Sequence, residues 1–252
     1  PQHMVAWTVN ATGLVQPGEQ HDLLVRAEKH HVALLAAQET MFDDTSAMSI
    51  GPWLRLSSGK LPGHKSGVAF FIAPKYKKAI INYKMVNDRI ITLTMLTKSG
   101  PCVFINVHAP TERDTTQTDK RKFWTALDYT MGQIPKHQII ILLGDFNLRW
   151  HGRFPTENDV LGPFTFGMGT AYLATHSHNN RDLGLEFFRA HRLIFLNSHF
   201  RKSPENKATF REPGTKLSTP IHPTFHAEID HFYGNYRARP LCHDIRARPK
   251  LY

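Results

Sequence analysis

Several apolar, strand-like runs of the sequence end in a polar side chain that can bind a metal ion or a phosphate group. These side chains belong to Asn10, Glu39, His108, Asp145 and Asn147. Ligand sites in α/β proteins gather at strand ends, because the loops there converge over a rigid sheet. A buried carboxylate needs a metal, a hydrogen-bond partner or a proton. One such residue is typical of a turn, but their recurrence at successive strand ends indicates a site.

The elements that must position these residues follow from the hydrophobic pattern, in which strand-like and helix-like runs alternate. We predict strands over residues 5–9, 32–37, 67–73, 89–96, 103–107, 139–143, 193–196, 208–211 and 228–233. We predict helices over residues 19–31, 115–131 and 182–191, and a loop over the Gly- and Pro-rich residues 152–175. The sequence contains no internal repeat and no evident linker. We interpret residues 1–4 as a remnant foreign to the fold and residues 5–252 as a single α/β domain with two packed sheets.

The composition and net charge of the chain limit the kinds of protein and binding partner that we consider. Of 252 residues, 41% are hydrophobic and 21% are charged, which is typical of a globular chain and argues against disorder. Lys and Arg number 31 against 21 Asp and Glu, so the net charge is +10. This excess favours a polyanionic partner such as nucleic acid, an anionic membrane surface or a phosphorylated substrate; the alternative is a solvated basic surface. The longest apolar run, 139–143, is too short for a membrane span. Two cysteines exclude a disulfide scaffold, and we expect free thiols.

Five sequence blocks, taken together, carry a family resemblance. They are Thr8-Val-Asn10, Gln38-Glu39-Thr40, Asn106-Val-His-Ala-Pro-Thr111, Leu143-Gly-Asp-Phe-Asn147 and Glu228-Ile-Asp-His231. In this order and spacing the chain resembles the endonuclease/exonuclease/phosphatase superfamily from residue 5 onward. It is most similar to the abasic-site-type endonuclease domains of non-LTR retrotransposons and their domesticated relatives. The resemblance implies a four-layer α/β/β/α sandwich of two packed mixed sheets that lacks its last strand.

The resemblance also implies roles for the residues at the strand ends. Glu39 is the main carboxylate ligand of a divalent cation, with Asn10 beside it, and the hard oxygen ligands suit Mg²⁺ or Mn²⁺. Asp145 orients and deprotonates the attacking water, while Asn147 donates a hydrogen bond to the scissile phosphate. His108 replaces the family's usual tyrosine, and its imidazole can still donate to phosphate.

Further roles are implied for residues in the second half of the chain. Asp230 orients a catalytic histidine, and Thr209 contacts a phosphate oxygen. The residues of the loop after Asn147 themselves suggest that a base or sugar stacks on Trp150 while Arg149 binds phosphate. The alternative for Trp150 is a place in the core.

One expected motif is missing. Family members carry Ser-Asp-His on a late strand, whereas this chain ends at Tyr252, near where that segment is expected to begin. We interpret the chain as truncated at its C-terminus. Because losing a general acid–base or electrostatic group typically costs about two to four orders of magnitude in rate, we expect weak hydrolysis by these residues alone. The 16 histidines raise the alternative of a zinc site, for instance at His222, His226 and His231. No paired cysteines or His-Glu-x-x-His motif accompany them, which favours packing.

These observations predict a divalent-metal-dependent phosphodiesterase, specifically an endonuclease that nicks target DNA for retroelement integration. The implied cofactor is Mg²⁺ or Mn²⁺, and the implied partners are DNA and a reverse transcriptase domain in the same polypeptide. A nuclear location follows from the resemblance alone, and no membrane partner is expected. Two alternatives stay open: a hydrolase of RNA, an inositol phosphate or a phospholipid headgroup, and a catalytically inactive nucleic-acid-binding module.

Overall fold

A computed structural model describes residues 3–112 and 115–248. Half of the predicted N-terminal remnant and the last four residues therefore lie outside the described residues. Contacts between residues divide the chain into two compact units: unit 1 comprises Pro1–Ala109 and Ile134–Asp145, and unit 2 comprises Pro110–Gln133 and Phe146–Tyr252. That residues 5–252 form a single domain stays a prediction. Within the described ranges, no helix combines the length and apolarity that crossing a bilayer requires.

The first sheet of unit 1 has five strands. They are β1 (Val5–Asn10), β2 (Val32–Gln38), β3 (Ser46–Ile50), β4 (Trp53–Ser57) and β5 (Val68–Ile72), in the order β1-β2-β5-β4-β3. Strands β1 and β2 are parallel, and the other pairs are antiparallel. All residues of β2 are buried, which explains its unbroken apolar run. Helix α1 (Pro17–Lys29) packs Leu23, Leu24 and Ala27 into the same core as Val9 and Leu35.

Four more strands of unit 1 belong to a second sheet. They are β6 (Ile80–Asn87), β7 (Ile90–Thr97), β8 (Gly100–His108) and β9 (Ile139–Asp145), in the order β9-β8-β7-β6. Strands β8 and β9 are parallel, whereas the other pairs are antiparallel. The two sheets pack face to face, and the buried Asn106 of β8 donates to Ala37 O and Ala69 O of the first sheet at 3.0 and 2.9 Å. The predicted fold class, α/β with two packed mixed sheets, is confirmed.

Unit 2 holds most of the helices. Its elements are α2 (Gln117–Gly132), α3 (Thr170–Leu173), α4 (Asn179–Ala190), β10 (Ile194–Phe195), β11 (Phe210–Arg211), β12 (His226–Ala227) and β13 (Asp230–Gly234). Strand β10 pairs with β13, and β11 pairs with β12, both antiparallel. Its core is aromatic: Tyr233 stacks on Phe188 with ring centroids 3.7 Å apart, and Phe146 and Phe195 lie against Tyr233. The predicted loop over 152–175 contains a short 3-10 helix, Pro155–Glu157, and the short helix α3.

Candidate metal centre

Four strand ends in unit 1 bring the predicted site residues together. Asn10 ends β1, Glu39 directly follows β2, His108 ends β8 and Asp145 ends β9. Asn10 is in register with Gln38 across the parallel pair β1–β2, and His108 is in register with Asp145 across the parallel pair β8–β9. Because parallel strands end at the same edge of a sheet, residues far apart in the chain become neighbours.

The side chains of these residues form one hydrogen-bonded group. Asn10 Nδ2 donates to Glu39 Oε1 at 2.7 Å and to Asp145 Oδ2 at 3.0 Å. His108 Nε2 lies 3.6 Å from Glu39 Oε1. One ligand atom from each of Glu39, His108 and Asp145 lies within 4.8 Å of the other two. Two carboxylates and an imidazole at this spacing are a donor set that fits a divalent cation.

Asn10 faces the carboxylates with its nitrogen. Its Oδ1 accepts a hydrogen bond from the Thr12 backbone N–H at 3.2 Å, which turns the amide oxygen away from Glu39 and Asp145. The resemblance implied a metal-ligand role for Asn10. That role stays a prediction, and in the structure the Asn10 amide nitrogen bridges the two carboxylates.

The backbone at the centre is unusual at two positions. Glu39 has a φ of +50°, a left-handed conformation that residues other than glycine seldom adopt and that is common at functional sites. Gly144, which precedes Asp145, has a φ of +143°, and a Cβ there would lie 2.0 Å from the Val107 carbonyl oxygen. Only glycine therefore permits the close approach of β8 and β9 beside the site.

Burial controls the charge of His108. The residue is 4% exposed, and burial, with a smaller contribution from Arg89, lowers its pKa to about 3. Its imidazole is therefore neutral near pH 7. Arg89 Nη1 donates to the His108 carbonyl oxygen at 3.1 Å, which fixes the end of β8.

Gln38 and Asn106, which lie one and two positions before the ligands Glu39 and His108 in the sequence, form a buried amide network that was not predicted. Gln38 Nε2 donates to Asn106 Oδ1 at 2.6 Å and contacts Thr8 Oγ1 at 3.1 Å. Gln38 precedes Glu39, and Asn106 lies two residues before His108, so the network fixes the strand ends that carry both ligands. A polar amide within the apolar run 103–107 was the available signal, because a buried amide needs several partners.

Unit 2 contains the other predicted catalytic and phosphate-binding residues. Asn147 has a left-handed φ of +45°, and its carbonyl oxygen accepts from Asn180 Nδ2 at 3.1 Å. Thr209 Oγ1 accepts from the backbone N–H groups of Ile229 and Asp230 at 3.0 and 3.1 Å. Thr209 thus fixes the backbone at the start of β13, where Asp230 lies.

The structure argues against a stacking role for Trp150. The indole is 2% exposed, packs near Phe188 and Phe195, and donates from Nε1 to Tyr233 Oη at 3.0 Å. A ring enclosed in this way offers no open face to a base, so Trp150 belongs to the core. Arg149, which was predicted to bind phosphate, forms an ion pair with Glu212 in unit 2.

A second set of buried ionisable groups lies in unit 2. Burial raises the pKa of Glu228 to about 7, and Lys207 and Asn197 contact its carboxyl group. Burial lowers the pKa of His231 to about 3; its nitrogens bond Tyr233 Oη at 2.9 Å and Glu228 O at 3.0 Å.

Among residues 3–112 and 115–248, the only group of three or more His, Cys, Asp or Glu ligands is the one formed by Glu39, His108 and Asp145. No zinc cluster thus forms around His231 in this part of the chain.

Comparison with solved structures defines the class of fold. The AP endonuclease LMAP from Leishmania major superposes with a TM-score of 0.66 at 12% identity, covering 99% of this chain and 83% of that chain. A 3′ phosphatase from Neisseria bound to product DNA hairpin superposes with a TM-score of 0.62 at 16% identity, covering 93% of this chain and 87% of that chain. The endonuclease domain of TRAS1, a telomere-specific non-LTR retrotransposon, superposes with a TM-score of 0.55 at 10% identity, covering 91% of this chain and 84% of that chain. The predicted resemblance is confirmed at the level of fold.

Particular relatives emerge from sequence comparison. Craniofacial development protein 2 of Bos taurus and of Tragulus javanicus are each 21% identical to this chain over 245 residues, which is 96% of its length. They are distant homologues. The chain spans 37% and 38% of the length of these curated relatives. No family model matches the chain.

Proposed function

We propose that this chain is a divalent-metal-dependent phosphodiesterase that cleaves DNA as an endonuclease. The observation that carries the proposal is the meeting of Glu39, Asp145 and His108 at the ends of three strands, with the amide of Asn10 between the two carboxylates. The fold is shared with AP endonucleases and with a DNA-bound 3′ phosphatase. A divalent cation held by these ligands would neutralise the charge that develops on a phosphate oxygen.

Each of these side chains then has its own role in hydrolysis. Glu39, with Asp145 beside it, would hold the cation, and Asp145 would also orient a water molecule and accept its proton as the water oxygen bonds to phosphorus. The opposite ester bond breaks, and its oxygen leaves with the released strand end. Asn10 keeps both carboxylates in place. For unit 2 we propose that Asn147 and Thr209 contact phosphate oxygens and that Asp230 orients a histidine.

DNA is the substrate that the charge favours. A net charge of +10 attracts a long polyanion more strongly than a small phosphoester, and such binding weakens steeply as the salt concentration rises. The fold likeness to the TRAS1 endonuclease domain supports the finer proposal that the chain nicks target DNA for retroelement integration, with a reverse transcriptase in the same polypeptide. Activity inside the nucleus belongs to the same proposal.

The test is a nicking assay with protein in excess over supercoiled plasmid, and over a duplex that contains one abasic site, with Mg²⁺ or Mn²⁺. Single-turnover conditions make slow cleavage measurable. Glu39→Gln is expected to lower the rate by about 100-fold or more, on the scale of losing one electrostatic group. The matched control is Glu28→Gln on the exposed side of α1, which leaves the rate unchanged. Equal rates for Glu39→Gln and the unsubstituted chain contradict the proposal.

A further inference from the structure

The imidazole of His108 is buried beside the two carboxylates without a hydrogen bond. Its side chain is 5% exposed, and Nε2 lies 3.6 Å from Glu39 Oε1, beyond hydrogen-bond distance. Within the described ranges of the chain, Nδ1 is buried and has no hydrogen-bond partner. Nε2 is thus the ring nitrogen that faces the Glu39 carboxylate and is open to a further partner.

The position of the His108 ring indicates which group binds its free nitrogen. The three donor atoms of Glu39, His108 and Asp145 lie within 4.8 Å of one another, so a cation that both carboxylates ligate lies within reach of the imidazole. We propose that His108 Nε2 is a direct ligand of the cation and that the centre therefore prefers Mn²⁺ and other first-row transition ions to Mg²⁺. This inference rests on the proposed metal-dependent function and extends it by assigning the class of metal.

Ligand chemistry explains the preference. Carboxylate and carbonyl oxygens suit Mg²⁺, which retains several waters and rarely accepts nitrogen. Imidazole suits the transition ions, whose affinity for a given nitrogen and oxygen site follows Mn²⁺ < Fe²⁺ < Co²⁺ < Ni²⁺. Replacing one oxygen donor by a buried imidazole therefore shifts selectivity away from Mg²⁺. The remaining Glu39 and Asp145 carboxylates preserve affinity for Mn²⁺.

The test measures binding and spectroscopy instead of catalysis. Mn²⁺ is added to the whole chain, free Mn²⁺ is quantified by its electron paramagnetic resonance signal, and Mg²⁺ competition gives the Mn²⁺/Mg²⁺ affinity ratio. Electron spin-echo modulation of bound Mn²⁺ is expected to show coupling to ¹⁴N. His108→Gln should remove that coupling and lower Mn²⁺ affinity by about 10- to 100-fold, with a smaller change for Mg²⁺. His21→Gln on exposed α1 is the matched control and leaves both unchanged.

The outcomes separate this inference from the proposed function. Nitrogen coupling that disappears in both His108→Gln and Glu39→Gln supports ligation by His108, even where the chain does not cleave DNA. Glu39-dependent cleavage with bound Mn²⁺ that shows no nitrogen coupling overturns the inference and leaves the proposed function standing. The unsubstituted chain answers the spectroscopic question directly, so a His108 variant that fails to fold does not remove the test.

Discussion

The amide nitrogen of Asn10 lies 3.0 Å from Asp145 Oδ2, although 135 positions separate the two residues. The same nitrogen lies 2.7 Å from Glu39 Oε1, so a single NH₂ group donates one proton to each carboxylate. Two carboxylates that face one another repel, and a shared donor reduces that cost without a charge of its own. Asn10 thus holds the two acidic ligands at the spacing that a cation requires.

Removing this bridge should weaken metal binding more than it weakens the fold. Asn10→Ala is expected to lower Mn²⁺ affinity by about 10- to 100-fold, as for other residues that orient metal ligands. Because Asn10 is only partly buried, the free energy of unfolding should change by about 1 kcal/mol. Mn²⁺ titration and urea unfolding measure the two effects. Unchanged affinity in Asn10→Ala would show that the bridge has no part in placing the carboxylates.

A glycine next to the centre should tolerate no side chain. In Gly144→Ala the new Cβ meets Val107 O at 2.0 Å, so β8 and β9 must separate or the chain must misfold. We expect a loss of more than about 4 kcal/mol of stability, which is at the exceptional end for one substitution. Gly18→Ala in α1 is the matched control, since nothing lies within 4 Å and alanine favours helix. Thermal unfolding of the two variants provides the comparison, and similar melting temperatures would contradict the prediction.

Stability should fall in acid because His231 is buried in its neutral form. Its pKa is about 3 in the folded chain, against an ordinary value of 6.5. Between these values the unfolded chain binds a proton that the folded chain does not, so the free energy of unfolding decreases as the pH falls. One such residue contributes a slope of about 1.4 kcal/mol per pH unit.

The variant His231→Gln isolates this contribution. We expect lower stability at every pH but a shallower decline between about pH 6 and 4, measured by urea unfolding. Glu228, whose pKa burial raises from 4.5 to about 7, is protonated in the folded chain and ionised in the unfolded chain above about pH 4.5, and this difference opposes the decline. That residue is present in both chains, so the difference in slope reports on His231. Identical slopes would mean that His231 is charged when folded.

Trp150 should matter for stability and not for DNA binding. Trp150→Phe removes the donor to Tyr233 Oη but preserves an aromatic ring in the cluster with Phe188 and Phe195. The expected cost is about 1–3 kcal/mol, the usual range when a buried polar group loses its partner. DNA affinity, measured by fluorescence anisotropy at fixed salt, should stay within about twofold of the unsubstituted chain. A large loss of affinity without a loss of stability would restore the stacking role.

The elements that carry the metal centre were predictable from local patterns. The apolar runs before Glu39 and Asp145 are buried and the run before Asn10 is partly buried, and the structure contains a strand at each. Three strands of unit 1 were missed: the edge strands β3 and β6, and β4, which is mostly buried. Strand β3 is largely exposed, and β6 leaves four successive residues open to solvent, so neither shows the alternation that marks a half-buried strand.

The roles of Trp150 and Asn106 could not be predicted locally, because they depend on contacts between distant parts of the chain. The burial of Trp150 requires Tyr233, 83 positions away, to receive its N–H. The bridge from Asn106 to Ala37 and Ala69 exists only once the two sheets have packed. Local sequence shows that a tryptophan or an asparagine is present, whereas the partner that determines its role comes from tertiary structure.

The proposed metal centre requires one divalent cation between Glu39 and Asp145. Anomalous diffraction from crystals soaked in Mn²⁺, measured near the manganese absorption edge, locates such a cation. We expect one anomalous peak within about 2.5 Å of both carboxylates, a bond length typical of divalent cations on oxygen. The peak should be absent from crystals of the Glu39→Gln variant. An anomalous peak elsewhere in the chain, with none beside these two carboxylates, would rule out this metal centre.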